Sequence, residues 1–381
     1  MIKKRIFTPG PTPIHPEASK VLAGPALHHR KSEFRQIFQQ TLENLKKIYK
    51  TENDVLILSC SGTGAMESAV VNLLSPGAKA LVGSAGKFGE RWEALCDRYG
   101  IQATVIRKEY GESISAEEIA TQLDRDPEID AVFVQGCESS TGAASNLQAI
   151  GKTIARYPRV VSVVDAITTL GAAPLRTDEW KLDVVIGGSQ KAFMIPAGLA
   201  FLSISAKAWE KAGRSKSRKF YFDWEQERRN QSKGQSAFTP AVSLVQALHE
   251  TTRFILEEGI DDLAANAALL ARMTQEAARA WGLPLFAKHP ANGLTAISIP
   301  PPFDAQGIIS DLQERFGAAI AGGQGSVKGK IIRIAHLGYY DVIDLVGLLG
   351  AIECALHKQK PSFDVGSGVT AALKVLSAMR G

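Results

Sequence analysis

Short runs of β-branched and other apolar residues recur through the first 205 residues of the chain. Between several of these runs, apolar residues return every three or four positions, as on one face of a helix. Continuous apolar strands that alternate with amphipathic helices are typical of a mostly parallel sheet covered on both faces. The pattern therefore predicts an α/β domain with seven strands, at 54–60, 79–84, 102–108, 130–136, 159–166, 183–188 and 199–205.

The pattern changes after about residue 242. A long helical stretch, 242–281, precedes two further apolar segments, 294–300 and 330–338, which have helical patterns beside them. Such an α+β arrangement predicts a smaller second domain. The expected division is an N-terminal segment 1–14, a large domain 15–245, a small C-terminal domain 246–360 and a helical tail 361–381.

Composition narrows the classes of protein that fit. Of the 381 residues, 45% are hydrophobic and 22% are charged, which predicts a soluble globular protein. The formal charge is only +5 and basic and acidic residues are interspersed, so we expect no binding of nucleic acid. The sequence contains no run of about 18 apolar residues, so no membrane-spanning helix is expected. The four cysteines form no CxxC pair, which argues against a zinc site or disulfides and indicates a reducing cytoplasm. They are Cys60, Cys96, Cys137 and Cys354.

The residues that follow the strands suggest a ligand site, because ligands of parallel α/β sheets bind beyond the carboxyl ends of the strands. Strand 54–60 is followed by Ser61-Gly62-Thr63-Gly64, where backbone N–H groups at a helix start could hold an anion. A glycine turn with a threonine cap explains this stretch equally well, and it lacks the ending of a nucleotide P-loop. Asp165 ends another strand. A carboxylate there is commonly a helix cap, and it also suits a protonated ring nitrogen.

Lys191 follows strand 183–188 closely and is flanked by apolar residues. Burying a lysine ammonium costs several kcal/mol unless its charge is paired or chemically changed. An amine that forms a Schiff base is no longer an ammonium, so this position is reasonable for such a lysine. A Schiff-base lysine, a carboxylate for a pyridine nitrogen and an anion cup are together what pyridoxal 5′-phosphate requires. We therefore predict that Lys191 holds this cofactor.

Six motifs occur in the order and approximate spacing of the class V aminotransferases: TPGPTPIHP, SGTGAMES, ESSTG, VDAITTLG, GGSQKAF and IIRIAHLG. Between residues 6 and 357 the chain most resembles the alanine–glyoxylate and serine–glyoxylate (serine–pyruvate) group. The resemblance implies the fold-type I architecture. That architecture has a large domain with a seven-stranded, mostly parallel sheet, a smaller C-terminal domain, and a homodimer with active sites at the subunit interface.

The resemblance also implies a role for each matching residue. Two departures stand out: the residue that stacks on the cofactor is Phe88 where many glyoxylate enzymes have tryptophan, and segment 236–242 lacks the usual Tyr and His. The implied roles are Lys191 as Schiff-base lysine and proton shuttle, Asp165 as partner of the pyridinium nitrogen, Ser139 beside the ring oxygen, Gly62, Thr63 and Gln190 in the phosphate cup, Thr239 as a phosphate contact to the partner subunit, Arg333 as clamp of the substrate carboxylate, and Gly10 near the substrate.

By resemblance, the expected activity is ping-pong transfer of an amino group from alanine or serine to glyoxylate or pyruvate. No second arginine matches a family position for a side-chain carboxylate, so we expect alanine, serine or glycine to outperform aspartate or glutamate. The alternatives are another class V enzyme, such as a lyase or desulfurase, or a non-catalytic subunit associated with a soluble hydrogenase. Segment 317–330 lacks the desulfurase cysteine, Gln190 replaces the histidine usual in desulfurases, and no cysteine cluster suits iron–sulfur ligation.

Overall fold

Residues 2–379 are described by the computed structural model, and their secondary structure alternates as the pattern predicts. The strands are β1 (Arg5–Ile6), β2 (Asp54–Leu58), β3 (Lys79–Ser84), β4 (Gln102–Arg107), β5 (Ile129–Gln135), β6 (Cys137–Glu138), β7 (Ala143–Ala144), β8 (Val161–Asp165), β9 (Val184–Gly188), β10 (Ala200–Ile204), β11 (Leu294–Ser298), β12 (Ala318–Ala319), β13 (Ala321–Gly322) and β14 (Ile331–Ala335). The α-helices are α1 (Pro16–Ala23), α2 (Ser32–Tyr49), α3 (Gly62–Leu73), α4 (Lys87–Arg98), α5 (Ala116–Arg125), α6 (Leu147–Ile154), α7 (Ala206–Ala212), α8 (Trp224–Gln231), α9 (Val242–Glu258), α10 (Ile260–Ala280), α11 (Ala305–Asp311), α12 (Val342–Gln359) and α13 (Ser367–Met379). A π-helical turn, Leu312–Phe316, continues α11, and a short 3₁₀ turn spans Gly325–Val327.

All seven predicted strands form one sheet, in the order β2-β10-β9-β8-β5-β3-β4. Strand β10 runs antiparallel to both of its neighbours, and the other adjacent pairs are parallel. The edge strand β4 is mostly exposed. The inner strands are buried almost throughout because helices cover both faces of the sheet. In β5, for example, Val132 and Val134 point into one core and Ala131 and Phe133 into the other. The predicted mostly parallel α/β domain is confirmed.

The second domain has a three-stranded antiparallel sheet, in the order β11-β14-β13. Its core includes residues of α10, α11, α12 and α13. The predicted helical stretch 242–281 is two helices, because Gly259 adopts a φ of +95° and ends α9. Helix α9 packs on α1 and α2 in the large domain, whereas α10 contributes to the core of the small one. The exact domain limits stay predictions.

The N-terminal segment connects the two domains. The backbone N–H of Arg5 donates to Gly317 O at 2.8 Å, which joins the segment to the small domain. Further along, the N–H of Thr12 donates to Gln190 O at 3.1 Å in the large domain. The segment therefore crosses the carboxyl edge of the large sheet, next to Lys191. Within the described part of the chain, no helix combines the length and apolar character that crossing a membrane requires.

Candidate active site

The carboxyl ends of β8 and β9 bring Asp165 and Lys191 to the same edge of the sheet. Asp165 is the last residue of β8 and lies opposite Ile186 of β9 in the parallel register. Two glycines then end β9, and Lys191 follows three residues after Gly188. The two residues interact electrostatically, because the charge of each favours the charged form of the other.

Asp165 is a buried carboxylate, 4% exposed, without an ion-pair partner in the described residues. One of its oxygens accepts a hydrogen bond from the N–H of Ile167 at 3.0 Å, so it does cap the following turn. Burial raises the pKa of the carboxyl to about 6, and the Ile167 hydrogen bond and the Lys191 charge oppose that rise. A buried, largely uncompensated carboxylate suits a positively charged group placed beside it.

The Lys191 amine lies against the N-terminal segment and donates a hydrogen bond to the carbonyl oxygen of Pro9. Burial lowers the pKa of the amine to about 8, although Asp165 opposes the change. Gly10 has a φ of +145°, and a Cβ atom there would overlap the Lys191 amine, so a side chain at this position would be strained and would displace the amine. Thr12 Oγ1 donates to Lys191 O at 2.7 Å. The structure thus brings Gly10 and Lys191 together.

The N-terminus of α3 lies beside this pair. Its first residues are Gly62 and Thr63, the side chain of Ser61 makes no cap hydrogen bond, and the first turn has no acidic residue. A Cβ atom on Gly62 would overlap the end of the Ile167 side chain, which would have to move. Among the described residues, the buried Oε1 of Gln190 finds no hydrogen-bond partner. The helix terminus therefore offers N–H groups to an anion.

Phe88 lies in the first turn of α4, and Glu138 holds that turn in place. One Glu138 oxygen accepts from the N–H of Phe88 at 3.0 Å and of Gly89 at 3.1 Å. The other accepts from Ser140 N at 3.2 Å and Ser140 Oγ at 2.5 Å. Glu138 is 3% exposed, and burial raises the pKa of its carboxyl. Sequence reasoning missed this residue, although it is the acidic member of the ESSTG motif.

Arg333 on β14 reaches from the small domain to the Ser139 turn of the large one. Its NH1 donates to Ser139 O at 2.5 Å and its Nε to Gly322 O at 2.9 Å. The side chain is buried, with the residue 6% exposed, and burial lowers the pKa of the guanidinium. No carboxylate of the described residues forms an ion pair with it. Its charge also contributes to the lowered pKa of Lys191.

Arg91 is a second arginine at the site, which sequence reasoning did not single out. Its NH1 donates to Thr63 Oγ1 at 3.0 Å, and its Cζ lies 4.6 Å from the centre of the Phe88 ring. Arg91 follows Phe88 by three positions on α4, and this helical spacing was the available signal. Its charge lowers the pKa values of both Asp165 and Lys191.

Thr239 lies apart from these residues within the single chain. It is exposed in a loop beside Tyr221, and no hydrogen bond joins it to another predicted site residue in the described structure. The ring of the neighbouring Phe238 stacks on Tyr221 with centres 5.2 Å apart, and Phe220 beside them is 77% exposed. The role of Thr239 at a partner subunit stays a prediction.

The fold, together with the family and the relatives described next, identifies a pyridoxal-phosphate-dependent aminotransferase of fold-type I. The profile of the family "Aminotransferase class-V" matches residues 17–341, and the chain belongs to that family. The predicted class V membership, fold, enzyme class and cofactor are thereby confirmed.

Three curated relatives match nearly the full chain. It is 38% identical to the soluble hydrogenase 42 kDa subunit of Anabaena cylindrica over 380 residues, covering 98% of this chain and 99% of the relative. It is 34% identical to serine–glyoxylate aminotransferase of Methylorubrum extorquens over 387 residues, covering 98% and 96%. It is 35% identical to L-aspartate–glyoxylate aminotransferase of Paracoccus denitrificans over 377 residues, covering 96% and 94%.

A solved structure extends the similarity to three dimensions. Ureidoglycine–glyoxylate aminotransferase from Bacillus subtilis superimposes with a TM-score of 0.94 at 26% identity, covering 99% of both chains. The overall architecture of the aminotransferase, including the small domain that carries Arg333, is therefore shared along the whole chain.

Proposed function

We propose that this aminotransferase moves an amino group from a small amino acid, alanine or serine, to a small 2-oxo acid, glyoxylate or pyruvate. The observation that carries the proposal is the buried Arg333 guanidinium, which has no carboxylate partner in the described residues and lies close enough to Lys191 to lower its pKa. A guanidinium fork binds a carboxylate through two parallel hydrogen bonds. Amino acids and 2-oxo acids share the α-carboxylate that this fork would hold.

The residues present fit pyridoxal phosphate. Asp165 is a buried carboxylate without an ion-pair partner in the described residues, and α3 presents its N-terminus. When bound, the cofactor supplies an aldehyde for the Lys191 amine and a ring that withdraws electrons from the substrate α-carbon. Asp165 would keep the ring nitrogen protonated, Phe88 would stack on the ring, and the Ser139 hydroxyl would lie beside the ring oxygen.

Lys191 moves the proton in this proposal. With a pKa of about 8, its Nζ is neutral in a useful fraction near neutral pH and accepts the α-proton as a general base. The Pro9 carbonyl accepts a hydrogen bond from the amine and keeps it oriented. Gly10 leaves the space that this contact needs. Because donor and acceptor carry the same α-carboxylate, Arg333 serves both halves of a ping-pong reaction.

The names of two relatives support glyoxylate as the acceptor, since both the serine and the L-aspartate enzymes are named for it. Those names differ in the donor. We retain small donors, alanine, serine or glycine, because the family pattern places no second arginine for a side-chain carboxylate.

We also propose a cytoplasmic homodimer. The exposed Phe220 and Tyr221, together with Phe238, form an aromatic surface beside Thr239. A second copy that covered this surface would bury apolar area and bring its Thr239 towards the phosphate of the first. The four free cysteines suit a reducing compartment.

The test is a half-reaction screen. Each common amino acid is added to the holoenzyme while the visible band of the bound cofactor is followed, and glyoxylate or pyruvate is then added to restore it. We expect alanine or serine to bleach the band and glyoxylate to restore it with release of glycine. Sulfide from cysteine, or elimination without transfer to any oxo acid, would contradict the proposal in favour of a desulfurase or a lyase.

The similarity to a protein named as a soluble hydrogenase subunit favours a second candidate, association with a hydrogenase. In the described residues, no group of three or more His, Cys, Asp or Glu side chains could hold a metal ion. In this second candidate, the chain would therefore act as a partner protein of a hydrogenase. Co-purification with a hydrogenase, compared between the wild-type protein and a Lys191→Ala variant, separates the two candidates, because only the transaminase depends on Lys191.

A further inference from the structure

The phosphate of the cofactor needs more positive charge than the predicted cup supplies. A phosphate monoester carries about −1.5 to −2 charges near neutral pH, whereas a helix N-terminus provides about half a positive charge. The side chains expected in the cup, Thr63 and Gln190, are neutral. Segment 236–242, which the resemblance places at the partner's phosphate, contains no basic residue.

Arg91 lies where the missing charge is required. Its NH1 is 3.0 Å from Thr63 Oγ1, and Thr63 is the second residue of α3. Because the Thr63 hydroxyl accepts from Arg91, its own proton is free to be donated to another acceptor. The contact therefore orients the threonine hydroxyl and the guanidinium towards the same region at the start of α3.

The contact with Phe88 leaves the donors of Arg91 accessible. The guanidinium carbon lies 4.6 Å from the centre of the ring, so the ring stabilises the charge without using an N–H group. The five N–H donors of an arginine match the oxygens of a phosphate. Within residues 2–379, no carboxylate forms an ion pair with Arg91.

The other two cations of the proposed site, Lys191 and Arg333, have different partners. Lys191 donates to the Pro9 carbonyl and is the attachment point of the cofactor. Arg333 donates to the backbone carbonyls of Gly322 and Ser139, and it is the proposed clamp of the substrate carboxylate. Arg91 is therefore the cation available at the helix terminus.

We propose that Arg91 binds the cofactor phosphate together with Thr63, and so gives the site its preference for the phosphorylated cofactor over pyridoxal. This inference rests on the proposed function, because it assigns a residue to the cofactor site of that same reaction. Phe88 has two contacts in this arrangement: it stacks on the cofactor ring and also supports the guanidinium.

The experiment compares the binding of two aldehydes, pyridoxal phosphate and pyridoxal, to the cofactor-free protein by absorbance titration. Arg91→Met removes the charge, and Arg91→Lys retains it without the planar fork. Arg98→Met, at the exposed end of the same helix, removes one positive charge away from the site and is the matched control. Thermal unfolding and circular dichroism of each variant establish that it is folded.

We expect Arg91→Met to weaken binding of pyridoxal phosphate by about 10- to 100-fold and to leave pyridoxal nearly unchanged, since a charge-assisted pair is lost only with the phosphate. Arg91→Lys should lie between wild type and Arg91→Met, and Arg98→Met should match wild type. Inorganic phosphate should slow capture of pyridoxal phosphate by wild type and lose most of this effect in Arg91→Met.

Two outcomes would overturn the inference. The first is an unchanged ratio of the two affinities in folded Arg91→Met. The second is a selective rise in KM for aspartate or glutamate at saturating cofactor with normal cofactor affinity, which would assign Arg91 to the substrate. Wild-type protein that captured neither aldehyde would instead contradict the proposed function itself. A failure of the inference and a failure of the proposed function are thus distinguishable.

Discussion

Lys191 illustrates how burial adjusts one side chain for chemistry. The amine is largely shielded from water near the ends of β8 and β9, and burial lowers its pKa from an ordinary 10.5 to about 8. The cationic side chains of Arg333 and Arg91 contribute to this lowered pKa, while Asp165 opposes it. An ammonium that loses its proton this readily becomes a nucleophile and a base near neutral pH.

The first prediction concerns the pH dependence of cofactor capture. Only the neutral amine attacks an aldehyde, so we expect the capture rate of the cofactor-free protein to rise with pH and level off above about 8. An exposed lysine would level off only above about 10. Stopped-flow absorbance between pH 6 and 10 measures the profile. Lys191→Ala is the control: it should bind the cofactor without a borohydride-stable link and show no turnover. A labelled peptide elsewhere in the chain would contradict the assignment.

The second prediction concerns Asp165→Asn, for which activity and stability should change in opposite directions. An amide cannot hold the ring proton as a carboxylate does, so turnover should fall by about 10²- to 10⁴-fold. In the cofactor-free protein, burial raises the carboxyl pKa from 3.8 to about 6. Ionised Asp165 therefore costs on the order of 3 kcal/mol at pH 7. The protonated carboxyl avoids this cost. Its contribution to the free energy of unfolding is therefore complete below about pH 4 and is lost as the pH rises through 6.

Cofactor-free Asp165→Asn should accordingly be more stable than wild type at pH 7 and nearly equal to it at pH 4. Urea unfolding at the two pH values measures this difference, and the Ile167 N–H keeps an acceptor in the variant. Near-normal turnover in Asp165→Asn would show that the residue only caps the turn.

At the scale of the elements, the start of α4 depends on a residue that is distant in sequence. Glu138, the last residue of β6, accepts hydrogen bonds from the N–H groups of Phe88 and Gly89. A buried carboxylate at a helix N-terminus satisfies otherwise unpaired N–H groups and interacts favourably with the helix dipole. By contrast, the start of α5 is capped locally by Ser115 and Glu118, three residues apart.

The third prediction compares these two caps. Glu138→Ala leaves several buried donors without a partner, so we expect it to lower the free energy of unfolding by about 2–4 kcal/mol. Ser115→Ala, at the more exposed cap, should cost about 1 kcal/mol. Urea unfolding of the cofactor-free variants gives both values. Equal losses would contradict a special role for the buried carboxylate. Glu138→Ala should also weaken cofactor binding, because the Phe88 turn is no longer held.

At the scale of the whole molecule, the proposed site is assembled from both domains. Arg333 belongs to the sheet of the small domain, yet it donates to Ser139 O in the large domain. The N-terminal segment crosses the same boundary, from Arg5 at β12 to Thr12 at Gln190. The relative position of the domains therefore determines the distance from Lys191 to the carboxylate clamp.

The fourth prediction concerns Arg333→Ala. The substrate carboxylate loses its bidentate partner, a loss of about 2–5 kcal/mol for a desolvated charged pair. We expect the apparent KM to rise for donor and acceptor alike, and the visible spectrum of the bound cofactor to stay unchanged. Steady-state kinetics of both half-reactions measure these values, and Arg333→Lys should recover only part of the loss. A defect confined to one half-reaction would contradict a shared clamp, and a preference for aspartate or glutamate would contradict the small-donor proposal.

The pattern of the sequence was sufficient for the seven strands of the large sheet and for the placement of Asp165 and Lys191. The physical reason is that strand and helix periods are local, and parallel strands bring their carboxyl ends to one edge wherever they occur in the chain. The break at Gly259 was not predicted, because an isolated glycine is tolerated in a helical pattern. Its φ of +95° belongs to the junction between α9 in one domain and α10 in the other.

Tertiary structure determined the contacts that join distant segments. Glu138 reaches Phe88 across 50 positions, Arg333 reaches Ser139 across 194, and the Lys191 amine reaches the Pro9 carbonyl across 182. No periodicity of the sequence predicts these hydrogen bonds. Each forms only where packing brings two elements within about 3 Å of one another and excludes water. The sequence thus determined which residues could carry the chemistry, whereas the packing of two domains determined which of them meet.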